Sequence, residues 1–281
     1  MAVGILACFG FLMFTMWKKK FNEEATDKIL FIGLFGTGFG IFSAMLFQAT
    51  YNYIANPERG FVLGDSMTFI GGLIGGVVSF LGVYWLYIYV IAPRTKIKLL
   101  QNNMNATLTD ALPFIPIGIA IAHAFGRLGC FFGGCCYGLP TDEWFGIYCA
   151  QSYDPKTGVV YMGARVVPTQ LFECIFLAVL AAVMVVLYFK FNLNYNFGVY
   201  AVAYGIWRFV IEYFRDDARG VLIPGVPLYP SQIWSIVMVL FGIGYFFLQY
   251  YVLSKHMKHP ELQKSADPIQ TDGGEKEGVS E

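Results

Sequence analysis

Apolar positions along the chain gather into seven stretches, at about 3–17, 29–48, 68–92, 112–133, 169–189, 196–214 and 231–252. Most hold the ~20 residues that an α-helix needs to cross a ~30 Å hydrocarbon core at ~1.5 Å per residue. The first is short, and the fourth is broken by Gly and Cys toward its end. Nowhere do segments of about ten residues alternate apolar and polar positions, the period-two pattern of a membrane β-barrel. The pattern predicts an all-α fold: a polytopic transmembrane helical bundle of about seven spans.

The polar segments give direction. Lys18, Lys19 and Lys20 follow the first stretch, Arg94, Lys96 and Lys98 the third, Lys190 the fifth, and Lys255 and Lys258 the seventh. Basic residues concentrate in cytoplasmic loops, so odd-numbered spans are expected to exit to the cytoplasm, with the N-terminus outside and the C-terminus inside. No basic residues precede the first apolar run and a triple lysine follows it, which argues against a cleaved signal peptide. The outside loops are then about 49–67, 134–168 and 215–230. The long middle one, with Asp142, Glu143, Asp154, Pro155 and Lys156, is expected to fold as a small cap on a membrane domain spanning 1–258. Residues 259–281 are polar and rich in Gly, Glu, Ser and Lys, and read as a disordered cytoplasmic tail. Gln101–Ala111 is a polar piece at the inner side. Its Asn105-Ala106-Thr107 sequon falls on that face and is not expected to be used.

Composition narrows the class further. Of 281 residues, 57% are hydrophobic and 14% charged, where a soluble domain has about 25% charged residues. The mean hydropathy is +0.56, leaving too few polar groups to coat a globule of this size. Nineteen basic residues balance nineteen acidic ones, which excludes a nucleic-acid binder acting through bulk positive charge. No internal repeat stands out, so an inverted-repeat transporter is disfavoured.

Against that background, charges inside apolar stretches demand a reason, because one at mid-membrane costs at least ~2.5–3.5 kcal/mol on insertion scales. In the fourth stretch His123 and Arg127 are four apart, and Cys130 follows three later, all on one helical face. Gly126, Gly129, Gly133 and Gly134 strip side chains from around the arginine, letting a helix or a ligand approach closely. In the sixth, Arg208, Glu212 and Arg215 repeat at four and three and predict a polar stripe on an apolar helix. One reading is an architectural Arg–Glu pair. The other is an anion site, because arginine's planar fork matches phosphate, and the phosphate available at that depth belongs to an anionic lipid.

Other segments are more open. Gly71-Gly72-Leu73-Ile74-Gly75-Gly76 predicts close helix approach or backbone facing a ligand. Pro168-Thr169-Gln170-Leu171-Phe172-Glu173 opens the fifth span, with Thr169 as a candidate cap and Glu173 complementing the helix N-terminus. Tyr229-Pro230-Ser231-Gln232 opens the seventh, with Ser231 as the expected cap. Cys8 and Cys174 read as apolar fillers. A disulfide between the Cys135/Cys136 turn and Cys149 fits a non-cytoplasmic loop. No metal is expected, since His256 and His259 lie on the opposite side from Cys130, Cys135 and Cys136. No cofactor is called for.

Taken in order, these elements resemble the prolipoprotein diacylglyceryl transferase family of bacterial inner-membrane enzymes. The likeness runs from about Phe69 to Ser235. Its most specific part is Gly126-Arg127-Leu128-Gly129-Cys130-Phe131, continued by Gly134 and Gly138, against the family's Gly-Arg-X-Gly-Asn-Phe-X-Asn-Gly-Glu-X-X-Gly. Gly71-Gly72-Leu73-Ile74-Gly75 resembles the family's glycine-rich segment, and Pro168–Glu173 its Pro-Ser-Gln-Leu-Tyr-Glu. Arg208-Phe209 with Glu212, Phe214 and Arg215 resembles its Arg-Phe-X-X-Glu-Phe-Phe-Arg, with Asp216-Asp217 slightly out of register, and Ser231-Gln232-Ile233 its Gly-Gln-Ile.

The resemblance implies transfer of the diacylglyceryl group of phosphatidylglycerol to the lipobox cysteine of preprolipoproteins, in the inner membrane. It implies catalytic roles for Arg127 and Arg208; His123, one turn before Arg127, is read from its own position as taking the thiol proton or hydrogen-bonding the head group. The resemblance places Glu212, Arg215, Gly71, Gly72, Gly126, Gly129, Cys130, Gly134, Gly138, Gln170 and Gln232 at the substrates. The family's two histidines are Ile70 and Val167 here, and its signature asparagines and glutamate are Cys130, Gly133 and Cys135, so His123 is left as the histidine near the arginines. Three rival readings remain: a lipid-group transferase with another acceptor, a non-catalytic anionic-lipid binder or transporter, and a thiol-redox protein built on Cys135-Cys136.

Overall fold

The computed structural model describes residues 2–55, 57–64, 69–96, 102–148, 152–153, 160–161, 165–215 and 228–258. Asp154, Pro155, Lys156, Cys149, Asp216, Asp217 and the 259–281 tail lie outside the described residues. The chain runs α1 (Ala2–Lys18), α2 (Glu23–Ala55), α3 (Phe69–Leu86), α4 (Ala92–Arg94), α5 (Leu108–Ala111), α6 (Ile115–Phe132), α7 (Thr169–Phe189), α8 (Asn196–Ile211) and α9 (Pro230–Lys258). A π-helical turn over Tyr87–Ile91 carries α3 into α4, making one continuous rod.

Five of these rods, α2, α3 with its continuation, α6, α7 and α9, are long and apolar enough to cross a membrane. The protein is a helical membrane protein. α1 is a shorter apolar helix of 17 residues, and α8 has 16. Large apolar side chains stay on the outside, among them Phe31, Leu81, Trp85, Leu240 and Phe247. Such a surface suits lipid and not water.

The core forms where α1, α6, α7 and α8 meet, around Met16, Phe114, Ile117, Leu177, Met184 and Tyr204. α1 lies close on α6 because Gly4 and Gly118 have no side chains: a Cβ on Gly118 would meet the Cys8 sulfur at 2.9 Å. Cys8 is packing there. α2 and α3 pair along Gly36, Gly40 and Ser43 on one side and Gly71, Gly72, Gly75 and Gly76 on the other. The Ser43 hydroxyl donates to the Gly71 carbonyl at 2.9 Å, so the glycine run makes close helix approach, with small residues letting backbones touch.

At one end the lysine-bearing turn after α1 is pinned to the 102–107 segment. Asn105 accepts the Asn22 amide at 2.8 Å and donates to the Lys20 carbonyl at 2.9 Å. Its side-chain amide is thus engaged, and the ammonium groups of Lys18 and Lys19 sit over the rings of Phe189 and Tyr188. The opposite end carries the segment between α6 and α7. There β1 (Ile147–Tyr148) pairs antiparallel with β4 (Arg165–Val166), and β2 (Ser152–Tyr153) with β3 (Val160–Tyr161). Arg165 holds the base of this segment by donating to the carbonyls of Glu143, at 2.9 Å, and Gly146, at 3.2 Å.

Candidate functional site

The ends of α6, α7, α8 and α9 converge at the hairpin-bearing end. α6 stops in a tight turn: the Cys135 amide donates back to the Cys130 carbonyl at 3.1 Å, and the Gly134 amide to Phe131 at 3.2 Å. This is the paired bonding of a Schellman cap, which requires a left-handed residue. Gly134 supplies it with φ +64°. The turn is then fastened to the start of α7, where Thr169 donates to the Cys136 carbonyl at 2.9 Å and Gln170 to that of Cys135 at 2.6 Å. Gly138 forms a bridge with Arg215, and a Cβ there would lie 2.3 Å from the Phe214 carbonyl. At Gly138 the structure shows close backbone approach.

Glu173 is the centre. It has no exposed surface, and its Oε1 accepts the Tyr204 hydroxyl at 2.8 Å and pairs with Arg127 Nη2 at 3.0 Å. Its other partners are farther: Arg215 Nη1 is 3.9 Å from Oε2, and His123 Nε2 is 3.9 Å from Oε1. The sequence expectation that Glu173 complements a helix N-terminus is corrected here. α7 is capped by Pro168, without a side-chain cap, and Thr169 is its first residue. Glu173, one turn in, points at α6 and α8, because compensation by two guanidiniums outweighs a helix-end dipole effect of ~0.3–1 kcal/mol. Ser231 is likewise not the cap of α9, which begins at Pro230. Instead Gln232 Oε1 accepts the Tyr229 amide at 3.1 Å and closes the first turn.

His123 and Arg127 share a face of α6 and both reach Glu173. The two ring nitrogens of His123 are engaged by tyrosine hydroxyls from α8, Nδ1 by Tyr200 at 3.1 Å and Nε2 by Tyr204 at 3.4 Å. Arg208, also buried, pairs with Glu212 at 2.9 Å. The expected helical stripe of Arg208, Glu212 and Arg215 ends early: α8 stops at Ile211, Glu212–Phe214 form a 3-10 turn, and Arg215 is extended. That break swings Arg215 away from Arg208's helical face and toward Glu173 and Cys136.

Several buried polar atoms in this region have no hydrogen-bond partner among the described residues: Arg208 Nη1, Trp207 Nε1, Gln232 Nε2 and Gln170 Oε1. Gly205 comes so near α9 that a Cβ would lie 3.0 Å from the Ser235 carbonyl. Arg208 and Gln232, each three residues further toward the same end of antiparallel helices, are therefore level. Gly126 faces open space, with nothing within 4 Å of a Cβ built on it. The structure thus gathers His123, Arg127, Arg208 and Arg215 about Glu173, with Gln170 on the turn that ends α6 and Gln232 level with Arg208. Gly71 and Gly72 sit in the α2–α3 seam, where Gly71 meets Phe47 and Gly72 meets Ala44.

Two features were missed from sequence. One is the central role of Glu173, whose signal was its position on the α7 face shared with Leu177 and Leu180. The other is that Cys130, Cys135 and Cys136 bring their sulfurs within 4.8 Å of one another, all three free thiols. The Cys130 thiol, hydrogen-bonded to it, and the Arg215 guanidinium hold the Cys136 thiol down to about 5, well below its ordinary range.

Fold and site define a helical membrane protein with a buried arginine–carboxylate–tyrosine cluster at one end of its bundle. The chain belongs to the prolipoprotein diacylglyceryl transferase family, whose model matches residues 1–248. It is similar to a phosphatidylglycerol–prolipoprotein diacylglyceryl transferase of Clostridium tetani, 28% identical, with 87% of this chain and 89% of the relative covered. Enzymes of the same name from Dehalococcoides mccartyi, at 28% identity with 88% and 85% covered, and Hydrogenovibrio crunogenus, at 29% with 86% of each, are similar in extent.

Proposed function

We propose that the chain transfers the diacylglyceryl group of phosphatidylglycerol to the lipobox cysteine thiol of preprolipoproteins, in the bacterial inner membrane. The observation that carries this reading is that Arg127 and Arg208, from two helices, both bear on the buried Glu173 carboxylate, in a region with buried polar groups that lack partners among the described residues. In the reaction a C–S bond forms at the glycerol carbon while the C–O bond to phosphate breaks and glycerol phosphate departs with the electron pair. Negative charge grows on phosphate oxygens, and guanidiniums fixed in a dry site stabilise it without reorganising. Arg208 Nη1 and Gln232 Nε2 suit phosphate oxygens, and Gln170 Oε1 suits a glycerol hydroxyl. Each such buried group left unpaired costs about 1–3 kcal/mol, which a headgroup would relieve.

Glu173 holds Arg127 until a phosphate competes for it, and Glu212 orients Arg208. Gly126, Gly129 and Gly134 keep the approach to Arg127 clear, Cys130 lines it one turn further out, Gly138 lets the chain after α6 close on Phe214, and Gly71 and Gly72 hold α3 against α2. His123, tied to Tyr200 and Tyr204, takes the thiol proton or holds the headgroup. Seven spans, N-terminus outside and C-terminus cytoplasmic, complete the reading: α1 and α8 with its 3-10 turn join the five longer rods, and the lysine-bearing end faces the cytoplasm. The site then opens to the outer leaflet, where lipid and signal peptide can both reach it.

The test is incubation of the reconstituted protein with radiolabelled phosphatidylglycerol and a lipobox peptide. Label should pass to the peptide, and Arg127→Ala and Arg208→Ala should abolish the transfer while eluting as folded protein. Normal transfer by either variant would refute the assignment, and full activity of His123→Ala would remove that histidine from the chemistry. Label that binds the protein but never reaches the peptide would favour a lipid-binding protein.

A further inference from the structure

The three sulfurs at the end of α6 are unlike the two other cysteines among the described residues. Cys8 and Cys174 lie on separate helices, Cys8 packed into a helix contact. Cys130, Cys135 and Cys136, at i, i+5 and i+6, are folded onto one another by the cap that ends α6, with their Sγ atoms within 4.8 Å. A tetrahedral zinc with bonds of about 2.3 Å to sulfur sets its thiolates about 3.8 Å apart. Side-chain adjustments of an ångström close the array without moving the backbone.

That backbone is already fixed. Gly134 is left-handed at φ +64°, and Cys136 is left-handed at φ 65°, a conformation rare for a residue with a Cβ. Strain of this kind persists where surrounding structure over-determines it, and it concentrates at functional sites. Here the surroundings are identifiable: the Schellman bonds on one side, and the Thr169 and Gln170 hydrogen bonds to the Cys136 and Cys135 carbonyls on the other. Ligands held this way on rigid elements are preorganised for a cation.

We propose that Cys130, Cys135 and Cys136 bind one thiophilic d10 cation, of which zinc is the representative, through three thiolates with a fourth vertex left to solvent or an incoming thiol. The donor set is all sulfur, which favours soft or borderline ions over magnesium or calcium. Three thiolates and a divalent ion carry one net negative charge. Arg127, one turn before Cys130, and Arg215, against Cys136, stand ready to balance it. Cys135 is exposed, giving an ion a path in. Binding would lock the turn that joins α6 to α7, and with it the relative placement of Arg127 and Glu173. Occupancy is read without turnover, so the test of the site stands apart from the transfer reaction.

The full-length protein, purified in detergent, reduced and stripped of metal, is titrated anaerobically with cobalt(II). The expected result is a thiolate-to-cobalt charge-transfer band saturating at one equivalent and bleached by zinc. Cys136→Ser and Cys135→Ser should each lose the band, and Cys174→Ala should keep it. No band from the fully reduced wild type overturns the proposal, as does a band that survives both serine substitutions. Cys135 is exposed, so its variant is expected to fold; should Cys136→Ser aggregate, the wild type and Cys135→Ser still decide. A protein whose three cysteines are recovered as a disulfide plus one thiol, and which gives no band once reduced, identifies a redox pair instead and equally overturns it.

Discussion

Glu173→Gln is the most informative single change. The substitution keeps the shape and an acceptor for Tyr204 but deletes a charge buried among Arg127 at 3.0 Å, Arg215 at 3.9 Å and His123. At an effective dielectric of about 20, the attraction to Arg127 alone is roughly 5 kcal/mol, and that to Arg215 roughly 4. Desolvation of the carboxylate, no longer needed, offsets part of this. Removing one partner of a buried pair costs about 3–5 kcal/mol, because the remaining charge is left uncompensated. For chains approaching this size 1 kcal/mol moves a midpoint by about 2–4 °C, so a fall of about 6–20 °C is expected.

The assay is thermal unfolding in one detergent at one scan rate, run on Glu173→Gln, Arg127→Gln and the double variant. Residues in one ion-pair network couple by about 0.5–3 kcal/mol. The double variant should therefore be less damaged than the two single losses added together. A midpoint within 2 °C of wild type for Glu173→Gln, or strict additivity in the cycle, would refute Glu173 as the hub (about 2 °C is the smallest shift that 1 kcal/mol produces).

Three further substitutions separate packing from chemistry. Tyr204→Phe removes the 2.8 Å hydrogen bond to Glu173 and should lower stability by about 1.5–3 kcal/mol, read by the same midpoint. Gly75→Ala places a Cβ 2.2 Å from the Ser43 side chain; pushing α2 from α3 should cost about 1–3 kcal/mol, seen as a lower midpoint. Gly126→Ala meets nothing within 4 Å and gains helix propensity, so stability should hold or rise by about 0.5–1 kcal/mol. Transfer to the lipobox peptide should nonetheless fall, because the methyl group enters the space through which lipid approaches Arg127; unchanged transfer would move the lipid path elsewhere.

Much was legible in the linear order of residues. Apolar runs of membrane length mark the helices, since a segment that must satisfy its own backbone in lipid has little choice but to be helical. The four-residue spacing of His123 and Arg127 placed them on one face, and the motifs around Arg127, Glu173, Arg208 and Gln232 carried the family. Local chemistry misled where a nearer explanation sufficed. Glu173 at the start of α7 looks like a helix-end charge, and Ser231 like a cap, because both roles depend only on neighbours in sequence. The 208–215 stripe assumed a helix that the structure ends at Ile211.

The sequence by itself determined what solvent the chain lives in, where its helices run and which charges are too costly to be accidental, because those follow from composition and short-range periodicity. Tertiary structure alone decided that one carboxylate on α7 faces two arginines from elsewhere in the chain, and that three cysteines meet at a turn. Contacts between residues tens of positions apart depend on how helices cross and where they stop. In this protein glycines with no Cβ, at Gly4, Gly75, Gly118 and Gly205, let those helices approach, and a single left-handed turn at Gly134 gathers the sulfurs.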